Sequence, residues 1–326
     1  MGGTLDISTF YYPLRHLSPC TVNIAIGLRT KVCLLPYRDG MVKISSRGFK
    51  SAEYRLETVP FAHPLGLMFA IAAYFNVNGV HIDIDSSSPP RSALGGSSAA
   101  AVAMISAFSQ ALEKKGADPI SKRQTALLAH TIEASVAGVP CGLQDQLAAV
   151  YGGINAWYWQ AEIGRPPFKR QTILRKPLFN NFRHHLLLAY SGIPHESKNI
   201  NNRWVRQFLS GDFRRYWSEI IDCTHQFAEA LSNQNFVDAM KAMNREMAIR
   251  RIMTPEVLDT IGEQLVESAV ENNCGARFTG AGGGGCIWAL GHIEDIDKLK
   301  SIWERVLSGR KHAHLIDLEI DSKGVL

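Results

Sequence analysis

One loop constrains this chain more than any other segment. It reads Pro89-Pro90-Arg91-Ser92-Ala93-Leu94-Gly95-Gly96-Ser97-Ser98-Ala99-Ala100. Glycine has no Cβ, so backbone N–H groups in such a loop can come close to a ligand. The helix expected from about Ser98 to Lys115 begins with unpaired N–H groups and the positive end of its dipole. Loop and helix start together predict an anion seat, and phosphate is the usual anion at such a seat.

Two other interpretations of this loop are open. The first is a flexible loop before a serine-capped helix, but such a loop needs only one serine and neither Pro-Pro nor a double glycine. Gly95 to Ala99 also resembles the nucleophile elbow of serine hydrolases, in which a strand ends immediately before the serine. The strand expected at Val80 to Ile84 ends near Asp85, about a dozen residues too early. This spacing favours the phosphate seat.

A second glycine-rich element is Gly280-Ala281-Gly282-Gly283-Gly284-Gly285, which matches Gly-x-Gly-x-x-Gly. A dinucleotide-binding fingerprint lies between a strand and a helix. Here the glycines lead into the strand expected at Cys286 to Leu290. The segment is either a flexible hairpin or a backbone that passes close to a ligand. The second interpretation accounts better for five glycines in six positions.

Two carboxylates are candidates for chemistry. Asp145 follows the helix-breaking run from Gly138 to Gly142, where a rigidly held carboxylate could accept a proton from a substrate hydroxyl. The alternative role for Asp145 is a helix cap. Glu133 shares a helix face with small residues that allow a ligand to come close (Ala126, Ala129 and Ala137), although a solvated helix glutamate is the default interpretation.

Composition narrows the classes of protein to which this chain can belong. With 326 residues, 46% hydrophobic and 20% charged, the chain is of ordinary globular type and long enough for about two domains. The longest nearly apolar stretch, 65–75, falls short of the ~20 residues that span a bilayer. Six irregularly spaced cysteines without Cys-x-x-Cys predict reduced thiols in a cytoplasmic protein. The dispersed net charge of +5 suits an anionic small molecule rather than nucleic acid.

The two halves of the chain differ in pattern. The first alternates short strands with helices, including one from Ser121 to Ala137. After the plausible linker Arg165-Pro166-Pro167, three amphipathic helices are expected, the last opening at Thr254-Pro255. The stripe Met240, Met243 and Met247 indicates core packing.

In this order, the segments resemble the GHMP kinase superfamily, which includes galactokinase and the homoserine, mevalonate and phosphomevalonate kinases. The loop 90–100 resembles its phosphate-binding motif, 278–285 its C-terminal glycine motif and 2–6 the end of its N-terminal motif. Gly142-Leu143-Gln144-Asp145-Gln146, with Tyr151-Gly152-Gly153, is most similar to the heptose-phosphate kinase and fucokinase branch.

The resemblance implies an α+β fold with an N-terminal βαβ-type ATP-binding domain (1–178) and a ferredoxin-like C-terminal domain (179–326). It implies Mg²⁺-dependent transfer of the γ-phosphoryl group of ATP to a hydroxyl of a sugar or sugar phosphate. The alternatives are galactokinase or fucokinase activity on an unphosphorylated sugar, and a catalytically silent sugar-binding regulator.

The resemblance also assigns roles to residues of this chain. Asp145 would be the catalytic base, and Glu133 and Ser97 would hold magnesium, with Ser98 as the alternative to Ser97. The nucleotide would contact Pro90, Leu94, Gly95, Gly96, Ser97, Ser98 and Ala99. The acceptor substrate would contact Thr4, Asp6, Gly282, Gly283 and Gly284.

The chain departs from the family pattern in two places. Ala93 replaces a glycine, so the first turn of the loop must tolerate a Cβ. Family members place a strand with a basic residue ahead of the first motif, whereas this chain starts at Met1-Gly2-Gly3. Two interpretations are open: the start is misassigned or truncated, or it is real, in which case an edge of the first lobe and the charge partner expected near the base are lost. A phosphorylated acceptor would need further cations, for which His195, Lys198 and Arg203 are candidates unless they are solvated loop charges.

Overall fold

The computed structural model of the chain describes residues 2–138, 140–194 and 197–326. The strands are β1 (Cys20–Ile24), β2 (Thr30–Pro36), β3 (Met41–Ser46), β4 (Ala52–Arg55), β5 (Val80–Ser86), β6 (Ile154–Trp159), β7 (Phe168–Leu174), β8 (Leu186–Tyr190), β9 (Gly275–Phe278), β10 (Cys286–Leu290) and β11 (His314–Leu315). The helices are α1 (Ser8–Tyr11), α2 (Gly66–Tyr74), α3 (Gly96–Glu113), α4 (Lys122–Ala137), α5 (Gln144–Tyr151), α6 (Phe179–Phe182), α7 (Ser197–Ser210), α8 (Arg214–Ser232), α9 (Phe236–Met253), α10 (Thr260–Glu271) and α11 (Ile293–Ser308). This mixture confirms the predicted α+β class.

The chain forms two compact units, each built from separate segments of sequence. Unit 1 contains the described residues of 1–27, 91–94 and 153–322, and unit 2 contains those of 28–90, 95–152 and 323–326. The units therefore do not follow the expected division at 178/179. The physical reason is strand pairing, because β6 is hydrogen-bonded to β1 on one side and to β7 on the other. Arg165-Pro166-Pro167 is accordingly part of the β6–β7 hairpin, in which the Gln160 amide donates to the Pro167 carbonyl at 2.9 Å.

Unit 2 is built on the four-stranded sheet β2-β5-β3-β4. Strands β3 and β5 are parallel and α2 lies between them in sequence, which gives the βαβ-type connection; the other pairs are antiparallel. Alternate residues of β5 (Val80, Ile82 and Ile84) are buried, as the sequence pattern predicts for a half-buried strand. Helix α3 packs on β2, α4 and α5, and this contact fixes where α3 begins beside α5.

Unit 1 contains two antiparallel sheets, β1-β6-β7 and β11-β8-β10-β9. Helix α8 packs on α9 and on β1, and α9 packs on β9. Met240, Met243 and Met247 of α9 are buried, which confirms the predicted core role of this stripe. Every residue of β8, β9 and β10 is buried. This sheet therefore gives the glycine segment between β9 and β10 a rigid frame.

Several element boundaries differ from the sequence prediction. Helix α3 begins at Gly96, so the double glycine forms the helix start itself. The helix start predicted at Thr254-Pro255 is present, but as a short 3-10 helix, Pro255–Val257, whose N-cap is Thr254. The α-helix that follows begins only at Thr260, where the side chain of Asp259 accepts from the Gly262 amide at 2.7 Å. All six cysteines are free thiols. No helix in the described part of the chain is long and apolar enough to cross a membrane.

Candidate active site

The helix start after the first glycine loop leaves three amides outside the helical hydrogen bonds. Gly95 is the N-cap with φ 70° and ψ 25°. The first helical bond runs from the Ala99 amide to the Gly95 carbonyl at 2.9 Å. The amides of Gly96, Ser97 and Ser98 precede that bond and have no acceptor within the helix, so this helix start is the candidate anion seat. Residues 87–95 separate the end of β5 from α3, so this described segment does not have the strand-to-serine turn of a nucleophile elbow.

Ala93 shows how the loop tolerates a side chain where the family has glycine. Its φ is 60°, and Arg91 in the same loop has φ 55°. A non-glycine residue in this left-handed region costs about 1–2 kcal/mol. The loop thus keeps the left-handed backbone conformation that favours glycine, at the cost of this strain.

Asp145 lies directly against the glycine that opens the seat. An ideal Cβ built on Gly95 would be 3.0 Å from both Cβ and Cγ of Asp145 and 3.3 Å from its Oδ2. Asp145 stands in the first turn of α5, and the N-cap of that helix is Leu143, so Asp145 is not the capping residue. The carboxylate is therefore held by a helix at the edge of the anion seat.

Glu133 receives hydrogen bonds from three neutral side chains at the same place. Ser97 Oγ donates to its Oε1 at 3.4 Å, Ser98 Oγ donates to Oε2 at 3.1 Å, and Gln146 Nε2 donates to Oε2 at 2.6 Å. Burial raises the pKa of Glu133, and these hydrogen bonds offset only part of the shift. Among the described residues no cationic side chain pairs with Glu133.

The donor set around Glu133 fits magnesium. A carboxylate and a hydroxyl offer the hard oxygen ligands that Mg²⁺ takes together with substrate phosphates. A bound cation would also offset the desolvation that raises the pKa of Glu133. Ser97 is exposed and Ser98 is buried, so the Ser97 hydroxyl is the more accessible of the two.

Sequence reasoning missed Gln146. Its signal was its place in Gln144-Asp145-Gln146, one residue after Asp145 on α5. Its Oε1 is buried and has no hydrogen-bond partner among the described residues, whereas its Nε2 binds Glu133. Gln146 thereby links the helix of Asp145 to the helix of Glu133.

In unit 1, the N-terminal motif and the second glycine motif are in contact. Thr4 Oγ1 donates to the Gly280 carbonyl at 3.2 Å and accepts from Arg277 Nη2 at 2.9 Å. Thr4 and Asp6 are both buried, with 3% and 4% exposure. Two motifs that are far apart in sequence are thus joined through a side-chain hydroxyl.

The second glycine loop packs against protein backbone. A Cβ on Gly282 would be 2.5 Å from the Val257 carbonyl oxygen, and one on Gly285 would be 2.7 Å from that of Ser92. The Gly283 amide donates to Val257 at 2.8 Å. Gly282 and Gly285 therefore allow close contact with the backbone of Val257 and Ser92, and close approach of a ligand to 282–284 stays a prediction.

A buried ionic cluster that sequence reasoning did not identify lies behind this loop. It consists of Glu246 and Arg250 on α9 and Arg277 on β9, all of them buried. Burial alone would raise the pKa of Glu246, but the charges of Arg277 and Arg250 outweigh it and the net shift is downward. Burial lowers the pKa of Arg250 to about 10. A signal for this cluster was available, since Glu246 and Arg250 fall on the face of α9 that carries the methionines.

Of the three residues predicted to bind a substrate phosphate, the structure describes the side chain of Arg203. His195 and the side chain of Lys198 lie outside the described residues. Arg203 forms an exposed ion pair with Glu256, with N–O distance 2.5 Å. Arg203 is therefore a partly solvated charge on helix α7 and not on a loop.

Comparison with protein families gives two matches. The profile of the GHMP kinases N terminal domain matches residues 63–153. The profile of the GHMP kinases C terminal matches residues 227–309. The first match contains the anion seat, Glu133 and Asp145, and the second contains the second glycine loop.

Individual relatives are distant but cover much of the chain. Probable glucuronokinase 2 of Arabidopsis thaliana is 27% identical over 246 residues, which are 71% of this chain and 65% of the plant protein. Mevalonate kinase of Pyrococcus abyssi is 26% identical and covers 82% of this chain and 80% of its own length. The crystal structure of a D-glycero-D-manno-heptose 1-phosphate kinase from Bacteroides thetaiotaomicron superimposes with a TM-score of 0.74 at 15% identity, covering 99% of this chain and 93% of that one.

Gly95→Ala is expected to destabilise the protein more than the matched change Gly138→Ala. Both glycines have left-handed φ, 70° and 64°, so each variant carries about 1–2 kcal/mol of backbone strain. Only at Gly95 would the new Cβ also crowd Asp145, since nothing lies within 4 Å of a Cβ on Gly138. Urea unfolding of both variants measures the difference, and equal losses of stability would contradict the Asp145 contact.

Proposed function

The chain belongs to the GHMP kinase family, and we propose that it is an ATP-dependent kinase that phosphorylates a hydroxyl of a sugar or sugar phosphate. The observation that carries this proposal is the contact between Asp145 and Gly95. A carboxylate at the edge of an anion seat is in place to take a proton from a hydroxyl that attacks a bound phosphoryl group.

Phosphoryl transfer asks a protein mainly to position the reactants and to neutralise charge. The amides of Gly96, Ser97 and Ser98 bind phosphate oxygens at the start of α3 and direct the helix dipole at them. The chain 90–99 forms the nucleotide side of the site. Asp145 orients the acceptor hydroxyl and accepts its proton, a role that is typically worth ~10²–10⁴-fold in rate.

Glu133 and Ser97 are proposed to hold Mg²⁺. The ion would neutralise charge on the phosphate oxygens as it develops. Glu133 suits this role because its carboxylate is partly buried and, among the residues that the structure describes, receives hydrogen bonds from neutral side chains alone. Gln146 keeps the Glu133 carboxylate oriented by its hydrogen bond to Oε2.

A sugar or sugar phosphate is the proposed acceptor. The segment Gly142 to Gln146 favours the sugar kinases, and two of the relatives described above are named for a sugar acid and a heptose phosphate. Asp6 is the proposed contact to sugar hydroxyls, and Gly282, Gly283 and Gly284 are the further proposed contacts to the acceptor. Mevalonate remains the competing acceptor, because mevalonate kinase aligns with 82% of this chain.

ADP formation with a panel of acceptors tests the proposed function. The panel contains D-galactose, L-fucose, D-glucuronate, D-glycero-D-manno-heptose with its 1- and 7-phosphates, and mevalonate. We expect turnover with at least one sugar or sugar phosphate at kcat/KM well above that for mevalonate. Preference for mevalonate would contradict the sugar assignment, and the absence of ADP formation with every acceptor would contradict the kinase assignment.

Asp145→Asn is expected to keep ATP affinity and to lose ~10²–10⁴-fold in turnover, because asparagine preserves the shape but cannot accept the proton. Calorimetric titration with a non-hydrolysable ATP analogue and the ADP assay give the two quantities. Asp118→Asn, at an exposed position, is the matched control. Near-normal turnover of Asp145→Asn would remove Asp145 from the role of base.

Ser97→Ala is expected to raise the Mg²⁺ concentration that gives half-maximal turnover. Ser98→Ala is the matched variant, since both hydroxyls donate to Glu133 but Ser98 is buried. We expect Ser98→Ala to leave the magnesium requirement unchanged and to lower stability by about 1 kcal/mol through loss of a buried hydrogen bond. The reverse pattern would assign the metal to Ser98.

A further inference from the structure

Thr4 adopts a backbone conformation that a β-branched side chain disfavours. Its φ is 45°, in the left-handed region where glycine is the usual residue. Residues held in such conformations persist only when surrounding interactions over-determine them, and they cluster at functional sites. The interactions of the Thr4 side chain must therefore compensate for its backbone strain.

The hydroxyl of Thr4 is fully engaged as a donor inside the protein. Its one proton goes to the Gly280 carbonyl at 3.2 Å, and its oxygen accepts from Arg277 Nη2 at 2.9 Å. The residue is only 3% exposed. The Thr4 hydroxyl thus has no proton left to donate to an acceptor sugar, and contact between Thr4 and the substrate stays a prediction.

The guanidinium that orients this hydroxyl is itself fixed. Arg277 donates through Nε and Nη2 to the two oxygens of Glu246 at 3.1 and 3.0 Å, and through Nη1 to the Phe278 carbonyl at 2.9 Å. Its side chain has no exposed surface. A forked guanidinium–carboxylate pair of this kind defines a direction as well as a distance.

The residue before Thr4 is held by the same cluster. The Gly3 amide donates to both oxygens of Glu246 at 3.3 Å, and Arg250 Nη2 donates to the Gly3 carbonyl. Arg250 lies over the ring of Trp204 at 4.2 Å, so its own position is constrained. Side chains of α9 and β9 therefore fix the amide and the carbonyl of Gly3 and the side chain of Thr4.

We propose that Thr4 is a positioning residue whose hydroxyl ties the segment carrying Asp6 to Gly280, under the control of the Glu246–Arg277 pair. The connection fixes where the Asp6 carboxylate and the start of the second glycine loop stand relative to each other within unit 1. The proposal rests on the proposed function, in which Asp6 binds the hydroxyls of the acceptor.

Three variants test this role. Thr4→Val keeps the shape and the β-branched strain but lacks the hydroxyl, Thr4→Ser restores the hydroxyl, and Thr125→Val makes the same chemical change at a buried threonine of α4. With the panel acceptor of highest kcat/KM, we expect Thr4→Val to raise the KM for acceptor roughly 10- to 100-fold through misplacement. The KM for ATP stays within about twofold. Thr4→Ser and Thr125→Val should resemble the wild type in both constants.

An acceptor KM for Thr4→Val within twofold of wild type would overturn the proposal, as would a Thr4→Ser variant no better than Thr4→Val. If Thr4→Val does not fold, Thr4→Ala provides the same comparison with less backbone strain. If the wild type phosphorylates no acceptor, the proposed function fails, and amide hydrogen exchange then decides the positioning role separately. Faster exchange at 2–6 and 278–285 in Thr4→Val but not in Thr4→Ser supports it, and unchanged exchange overturns it.

Discussion

The contact between Asp145 and Gly95 is the constraint on which the rest of the site depends. Gly95 must have no Cβ, both because its φ is 70° and because Asp145 occupies the space that a Cβ would take. The same glycine opens the helix start whose amides are proposed to bind phosphate. A carboxylate so close to a polyanion is electrostatically unfavourable unless a cation stands nearby. Glu133, with its neutral donors, is the place where such a cation can be held.

Two carboxylates illustrate how environment separates a binding group from a structural one. Burial raises the pKa of Glu133, and no cation among the described residues counters the shift. Glu246 is buried too, but Arg277 and Arg250 lower its pKa and occupy its oxygens. The oxygens of Glu246 also accept from the Gly3 amide, so the pair is tied to the N-terminal segment. Glu246 therefore holds neighbouring residues in position, whereas Glu133 remains able to bind a cation.

Local sequence predicted the features that depend on local chemistry. The glycine loop before α3, the methionine stripe of α9 and the strand after Gly285 follow from glycine conformation, helical spacing and apolar runs. The compact units differ from the predicted division because β6 pairs with β1, a contact across 130 residues that leaves no periodic signal. The Thr4–Arg277 bond was missed for the same reason. For the second glycine loop the sequence predicts close approach of a ligand, because the contact of this loop with the Val257 backbone is visible only in three dimensions.

The most direct test of the account is an NMR titration of the ¹⁵N-labelled full chain with Mg²⁺ and a non-hydrolysable ATP analogue. We expect the amide signals of Gly96, Ser97 and Ser98 to shift most, because their N–H groups meet the phosphate oxygens at the start of α3. We also expect a smaller shift at Asp145, which touches the loop without binding the nucleotide. Saturable binding that leaves these three amides unchanged would contradict the account.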